Sequence, residues 1–192
     1  MKSFCSHFRL FRSLSSKEEG VAAVEFALLL PVLLILLIGM AETTEALNHD
    51  RKVSQVASTL ADLVSQSQEL TRLEVNDLMW SARTIMFPYA AGPMTNVVAS
   101  VGFDARGKAT VLWSVGNRQY RPWPTGTEPP ISIPAVVKIP NSTVIVGMST
   151  YNYVPMFASF AQGIFPRAKS MTLEDVYFLR PRLSDEVVCK TC

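Results

Sequence analysis

From Val21 to Ala41 the chain is almost uninterruptedly apolar; beyond Ala41 polar residues return, while apolar ones keep a helical spacing. The first run, VAAVEFALLLPVLLILLIGMA, has 21 residues. At 1.5 Å per residue it is about 31 Å long, the thickness of a hydrocarbon core of about 30 Å. It predicts one membrane-crossing helix. Pro31 lies inside it, which membrane helices tolerate better than soluble ones. Further on, Val53, Val56, Leu60, Leu63 and Leu70 hold one helical face, with Ala57 and Val64 flanking it. No Gly or Pro falls between Gly39 and Pro88. The helix is therefore expected to run on to about Gln68. Its stripe packs either on the protein's own sheet or against a neighbouring chain.

Thr71-Arg72-Leu73-Glu74 has the form of a capping box, in which hydroxyl and carboxylate satisfy free backbone donors at a helix start. A second helix is expected from there to about Phe87, stopped by Pro88, burying Leu78, Met79, Ala82, Ile85 and Met86. Trp80 either extends that face or lies exposed. From Asn96 the pattern changes to strands. NVVASVGF and KATVLWSV flank a short Gly-containing loop and read as a hairpin. Pro122, Pro124, Pro129, Pro130, Pro134 and Pro140 make residues 117–141 an irregular crossing. STVIVGMSTYNYVP and MTLEDVYFLRP supply two further strands. About four antiparallel strands packed on helices give an α+β fold, and a sheet against a long N-terminal helix is the pilin-like plan by fold-level analogy.

Charge gives the chain a direction. Lys2, Arg9, Arg12 and Lys17 precede the span against Glu18 and Glu19, so this leader carries the whole net charge of +2. Basic residues before a first span hold that end in the cytoplasm. The balanced remainder argues against nucleic acid, which needs a basic face. Of the three cysteines, Cys5 stays on the reducing side, while Cys189 and Cys192 meet an oxidising one.

Within the span, Glu25 is the anomaly. A carboxylate at the centre of a membrane helix costs about 2.5–3.5 kcal/mol on insertion scales. Three readings compete. An uncleaved anchor would let Glu25 snorkel to the interface. A secretory signal peptide would use the small residues Gly39-Met40-Ala41 for a cut after Ala41, but the run is long for such a segment. Prepilin-type processing would cut after Gly20 on the cytoplasmic side and leave a new α-amine at Val21. That amine and the Glu25 carboxylate neutralise each other, within one helix or between subunits, where either alone is costly. Only the third reading gives Glu25 a use.

The stretch EEGVAAVEFALLLPVLLILLIGMAE resembles the start of the TadE-like proteins, pseudopilin-like components of the tight-adherence (Flp) pilus assembly system of bacteria. Gly20, Ala22, Ala23, Glu25, Phe26 and Pro31 occupy the places of that family's Gly, small residues, Glu-Phe, Leu-rich run and Pro. ADLVSQSQELTRLEVNDLMWSARTIMFP resembles its post-membrane helices, and YFLRPRLSDEVVC its Arg-Pro-Arg ending; residues 94–140 carry little of the pattern. The resemblance implies a single-pass pilus assembly protein of the bacterial inner membrane. Its implied sites are a prepilin peptidase site at Gly20 and Val21, and charge pairing and assembly through Val21, Glu25 and Phe26. Its implied partners are other pilus assembly proteins and pseudopilins, the peptidase and membrane lipid. The expected organisation is a cytoplasmic leader over 1–20, the span over 21–41 and a periplasmic α+β domain over 42–192. That domain is helical over 42–87 and β-rich over 95–182, with a Cys-containing tail over 183–192.

Catalytic signatures are missing. His7 and His49 are the only histidines, and no Cys or carboxylate cluster has metal-ligand spacing, so neither a metal nor another cofactor is expected. No P-loop, GxSxG elbow or GxGxxG occurs. An enzyme is not expected, no small-molecule substrate is evident, and any ATPase that drives assembly must be a separate partner. Cys189 and Cys192 admit a disulfide closing the tail, links to another chain, or two free thiols. Asn141-Ser142-Thr143 reads as turn chemistry before a strand. Arg180-Pro181-Arg182 reads either as a dock for an acidic partner or as a solvated stop. Tyr151 and Tyr153 share one strand face and read as core or sheet surface. The rival function is a bitopic membrane protein with a periplasmic ligand-binding or sensor domain; a membrane-bound hydrolase is more distant, for want of a nucleophile with a base.

Overall fold

A computed structural model describes residues 18–117, 120–157 and 170–192; the leader positions 1–17, with Cys5 and His7, lie outside them. Helix α1 spans Glu18–Ser65, with Pro31 inside it. The chain divides between Thr44 and Glu45 into two compact units. The first holds the apolar part of α1, whose side chains are exposed from Val21 to Leu37 and again at Met40, with Ile38 half-buried. This is one helix long and apolar enough to cross a membrane.

In the second unit α1 turns amphipathic. Val53, Val56, Ala57, Leu60, Ala61 and Val64 are completely buried. Their spacing of three and four keeps them on one face, and that face covers the protein's own sheet, not a neighbour. Leu63, expected in the stripe, is 36% exposed instead. It falls off the 53–56–60–64 line, and Ala61 takes the buried place beside Leu60. The helix stops at Ser65, short of Gln68; there Ser65 Oγ donates to the Asp62 carbonyl at 2.8 Å.

Helix α2, Arg72–Ala82, starts with the expected capping box: Thr71 Oγ1 accepts from the Glu74 N–H at 3.3 Å, and the Glu74 carboxylate accepts from the Thr71 N–H at 2.7 Å. It tightens into a 3-10 turn over Arg83–Met86. Val75, Met79, Ala82 and Met86 form its buried side, with Leu78 and Ile85 only partly covered. Val75, four residues before Met79, belongs to that stripe although the spacing argument began at Leu78. Trp80 is 71% exposed.

Among the described residues there are six strands: β1 Glu69–Leu70, β2 Met94–Phe103, β3 Ala109–Gly116, β4 Thr143–Tyr153, β5 Met171–Leu179 and β6 Val188–Cys189. The four long ones form an antiparallel sheet in the order β3-β2-β4-β5. The β2–β3 hairpin closes on Asp104, whose Oδ1 accepts from the N–H groups of Arg106 and Lys108, each at 2.8 Å, with Gly107 at φ 76°. A bulge opposite Ser100 and Val101 skips Leu112. It changes the facing of β3, so Trp113 and Val115 point to the helices while Ala109 and Val111 point to the other side.

Both faces of the sheet are therefore buried. One carries α1 and α2. The other is covered by the proline-rich crossing, which is more than irregular: Trp123 and Ile133 plug into Val97, Ala99, Val101, Val144 and Val146 as a second core. The crossing also hydrogen-bonds to β3, with the Val111 N–H donating to Thr127 O at 2.9 Å and the Gly126 N–H to Val111 O at 2.8 Å. The tail is likewise more than an appendage. β6 pairs in parallel with β1, Glu69 opposite Val188 and Leu70 opposite Cys189. Val187 is wholly buried, and the Trp113 indole N–H donates to its carbonyl at 2.7 Å.

Candidate functional site

Gly20 and Val21 lie in the first turn of α1, with Glu25 one turn on and Phe26 beside it. Residues four apart stack on one helix face, so Val21 and Glu25 share a face. Phe26, Leu28, Leu29, Val32 and Leu33 are all more than half exposed, the surface expected of a helix whose solvent is lipid or other helices. Near the end of the run the polarity returns gently. Thr43 Oγ1 donates to Gly39 O at 2.8 Å and Thr44 Oγ1 to Met40 O at 2.9 Å, so both hydroxyls are satisfied by the helix itself.

Where α1 enters the second unit it is gripped by an aromatic cluster. His49 is buried, with its ring 3.8 Å from that of Tyr89, 4.7 Å from that of Tyr153 and 5.4 Å from that of Tyr151. Its Nδ1 lies 2.8 Å from Glu45 O, a carbonyl that only accepts, so Nδ1 carries the proton. The Tyr89 hydroxyl donates to the Glu45 carboxylate at 3.1 Å, and that of Tyr151 to Ala90 O at 3.2 Å. Burial, and then the Glu45 carboxylate, push the Tyr89 hydroxyl above its usual pKa; burial alone does so for Tyr151. Spacing contained the signal for this cluster. His49, Val53, Val56 and Leu60 are one stripe, but a histidine beside a membrane span reads as polar until its partners are known.

Elsewhere in the unit, Arg72, Asn76, Met79, Trp80, Arg83, Gly116 and Asn117 line an open groove of about 700 Å³. The Arg83 guanidinium lies 5.4 Å from the centre of the Trp80 ring and donates to Ala91 O at 2.5 Å. Arg83 therefore ties the end of α2 to the following loop.

Cys189 and Cys192 are joined by a disulfide. Lys190 pairs with Glu69, which raises the lysine's pKa, and Arg182 pairs with Asp62 of α1. The Arg182 N–H also donates to Ser65 O at 2.9 Å. The second arginine of Arg-Pro-Arg thus holds the end of α1; both Arg180 and Arg182 are exposed. Asn141 takes φ 54° in the turn before β4. Among the described residues, no group of three or more His, Cys, Asp or Glu side chains is placed to hold a metal ion.

Together these features define a single-pass, membrane-anchored α+β protein whose sheet grips the outgoing helix. Within that helix, residues 20–62 match the family model described as TadE-like protein. No curated protein and no solved structure matches it.

Proposed function

We propose that this protein is a pseudopilin-like component of a tight-adherence (Flp) pilus assembly apparatus, held in the inner membrane with its leader in the cytoplasm and residues 42–192 in the periplasm. It acts by packing, not by catalysis. Cleavage after Gly20 by a prepilin peptidase frees the Val21 amine, which pairs with Glu25 one helical turn away or with Glu25 of a neighbouring helix. Phe26 adds an apolar contact beside that pair. The observation that carries the reading is the TadE-like match, which begins at Gly20 and takes in Glu25. The burial of α1 gives further support: its stripe from Val53 to Val64 is consumed by the protein's own sheet, which leaves the exposed apolar segment for pairing with other helices.

The test is N-terminal sequencing of the protein recovered from membranes, combined with Glu25→Ala. A start at Val21, with normal insertion but failed pilus assembly in the variant, is the expected result. A retained Met1 removes the processing step, and normal piliation in Glu25→Ala removes the pairing role.

A further inference from the structure

Two surfaces of the soluble unit carry charges of opposite sign that the fold leaves unpaired. The first is the groove beside α2. Arg72, Asn76, Trp80 and Arg83 form one row along the helix, spaced by four, four and three residues, and the end of β3 completes the lining. No carboxylate belongs to it. Glu74 is engaged in the capping box, Asp77 is not a lining residue, and the two positions after Asn117, Arg118 and Gln119, add no acid. Neither Arg72 nor Arg83 forms an ion pair among the described residues. Between them in the row stands the exposed Trp80, with the Arg83 guanidinium beside its ring. Tryptophan and arginine are the residue types that carry most of the binding energy in protein interfaces.

The second surface is the corner of the tail from Leu183 to Val188. Leu183 is 59% exposed and Val188 46%. They bracket Asp185 and Glu186, both exposed and neither in an ion pair among the described residues. The backbone here is pinned. The Arg182 N–H donates to Ser65 O at 2.9 Å, the Thr143 hydroxyl to Asp185 O, and the Val188 N–H to Gln68 O at 3.0 Å. A corner already held in shape loses little freedom on binding. It does not join the lining of its own chain's groove, and its pinned backbone keeps it from swinging there.

The chemistry of the two surfaces is complementary. Two carboxylates between apolar side chains match two guanidiniums on either side of an indole. Arginine takes a carboxylate through paired charge-assisted hydrogen bonds, which fix orientation as well as supplying energy. Leucine and valine give Trp80 apolar surface to cover it.

We infer that the corner from Leu183 to Val188 of one copy of this chain docks in the groove of Arg72, Trp80 and Arg83 on a second copy. Each copy offers both a groove and a corner. The contact is therefore head-to-tail, and it leaves one surface of each kind open for a further copy. It rests on neither the pilus role nor cleavage at Gly20.

Thiol cross-linking of the full chain tests it. In a Cys5→Ser background, one chain carries Asp77→Cys, next to the groove residue Asn76, and another carries Ser184→Cys in the corner. Cys189 and Cys192 are withheld by their disulfide. The two chains are reconstituted together in bilayers of phosphatidylethanolamine and phosphatidylglycerol and treated with a short bismaleimide. The mixture is expected to give a cross-linked dimer several-fold above the yield of either chain alone. Arg72→Glu in the first chain is expected to lower that yield several-fold, and either Asp185→Arg or Glu186→Arg in the second to restore it. Restoration excludes misfolding as the cause of the loss. A mixture that gives no more dimer than the Asp77→Cys chain alone means that groove faces groove or that the copies do not meet, and overturns the contact. A yield indifferent to Arg72→Glu, or restored by neither reversal in the corner, overturns it as well.

Discussion

Gly147 of β4 lies so close under Ala61 of α1 that a β-carbon at position 147 would stand 3.0 Å from the Ala61 β-carbon and 2.5 Å from the Ala57 carbonyl oxygen. The backbone oxygen has no freedom to retreat, so any side chain here lifts the helix from the sheet. Gly147→Ala is expected to cost about 1–3 kcal/mol, in the range of overpacked cores, and Gly147→Val more. Gly92→Ala is the control: nothing lies within 4 Å of its β-carbon position. It is expected to be neutral or to stabilise by up to about 1 kcal/mol. Denaturant melts of the two variants check the contrast.

His49 ties α1 to three strand and loop tyrosines at once. His49→Ala removes all three ring contacts and leaves a gap, for an expected loss on the order of 2 kcal/mol. Tyr89→Phe keeps the ring but not the hydrogen bond to Glu45, for an expected loss of about 1 kcal/mol. Because both act on the same turn of α1, their effects are expected to be non-additive, which a double-mutant cycle measures directly.

The capping box makes a pH-dependent prediction. Hydrogen bonds from the Thr71 backbone N–H and side chain hold the Glu74 carboxyl below the ordinary value of 4.5. A depressed carboxylate stabilises the fold above its unfolded pKa and loses that contribution as pH falls through the folded value. Thr71→Ala is expected to cost about 1 kcal/mol at neutral pH, with the difference from the parent shrinking as pH drops below 4.5. Lys190 runs the opposite way: Glu69 raises its pKa above 10.5, so its contribution is complete below that pH and fades as the solution becomes more alkaline. Thermal melts across pH separate the two.

The tail is expected to be closed by its disulfide and anchored independently of it. Alkylation of the unprocessed full-length chain should modify Cys5 alone, and all three cysteines after reduction, as read by mass spectrometry. Opening so short a loop is expected to cost at most about 2 kcal/mol. The β1–β6 pairing should survive reduction, because Val187 remains buried and bonded to Trp113. Amide exchange at Lys190, whose N–H donates to Leu70 O at 2.9 Å, reports that pairing.

Loss of charge on Arg182 should matter little. Its pairing with Asp62 is substantially exposed, and exposed ion pairs contribute about 1 kcal/mol or less. Arg182→Gln is therefore expected to shift stability within that range, since the backbone bond to Ser65 remains. A stronger effect on pilus assembly than on melting would reveal a partner at this corner.

Local pattern by itself determined the membrane helix, the anomaly of Glu25, the capping box at Thr71 and four strands in their places. Each is a signal carried by neighbouring residues: a run long enough for a bilayer, a hydroxyl three positions before a carboxylate, or a β-rich run between turns. Only tertiary structure decided which way each surface faces. The stripe on α1 fits a neighbour as well as a sheet until Gly147 offers a groove for Ala57 and Ala61. His49 reads as polar until three tyrosines close around it. The prolines of residues 117–141 rule out a regular central strand, yet say nothing of the second core that Trp123 and Ile133 fill. The short tail finds its partner at Leu70 only because the fold brings back a segment more than a hundred residues away. These are contacts between distant residues, and neither spacing nor propensity encodes a contact whose other half lies elsewhere in the chain.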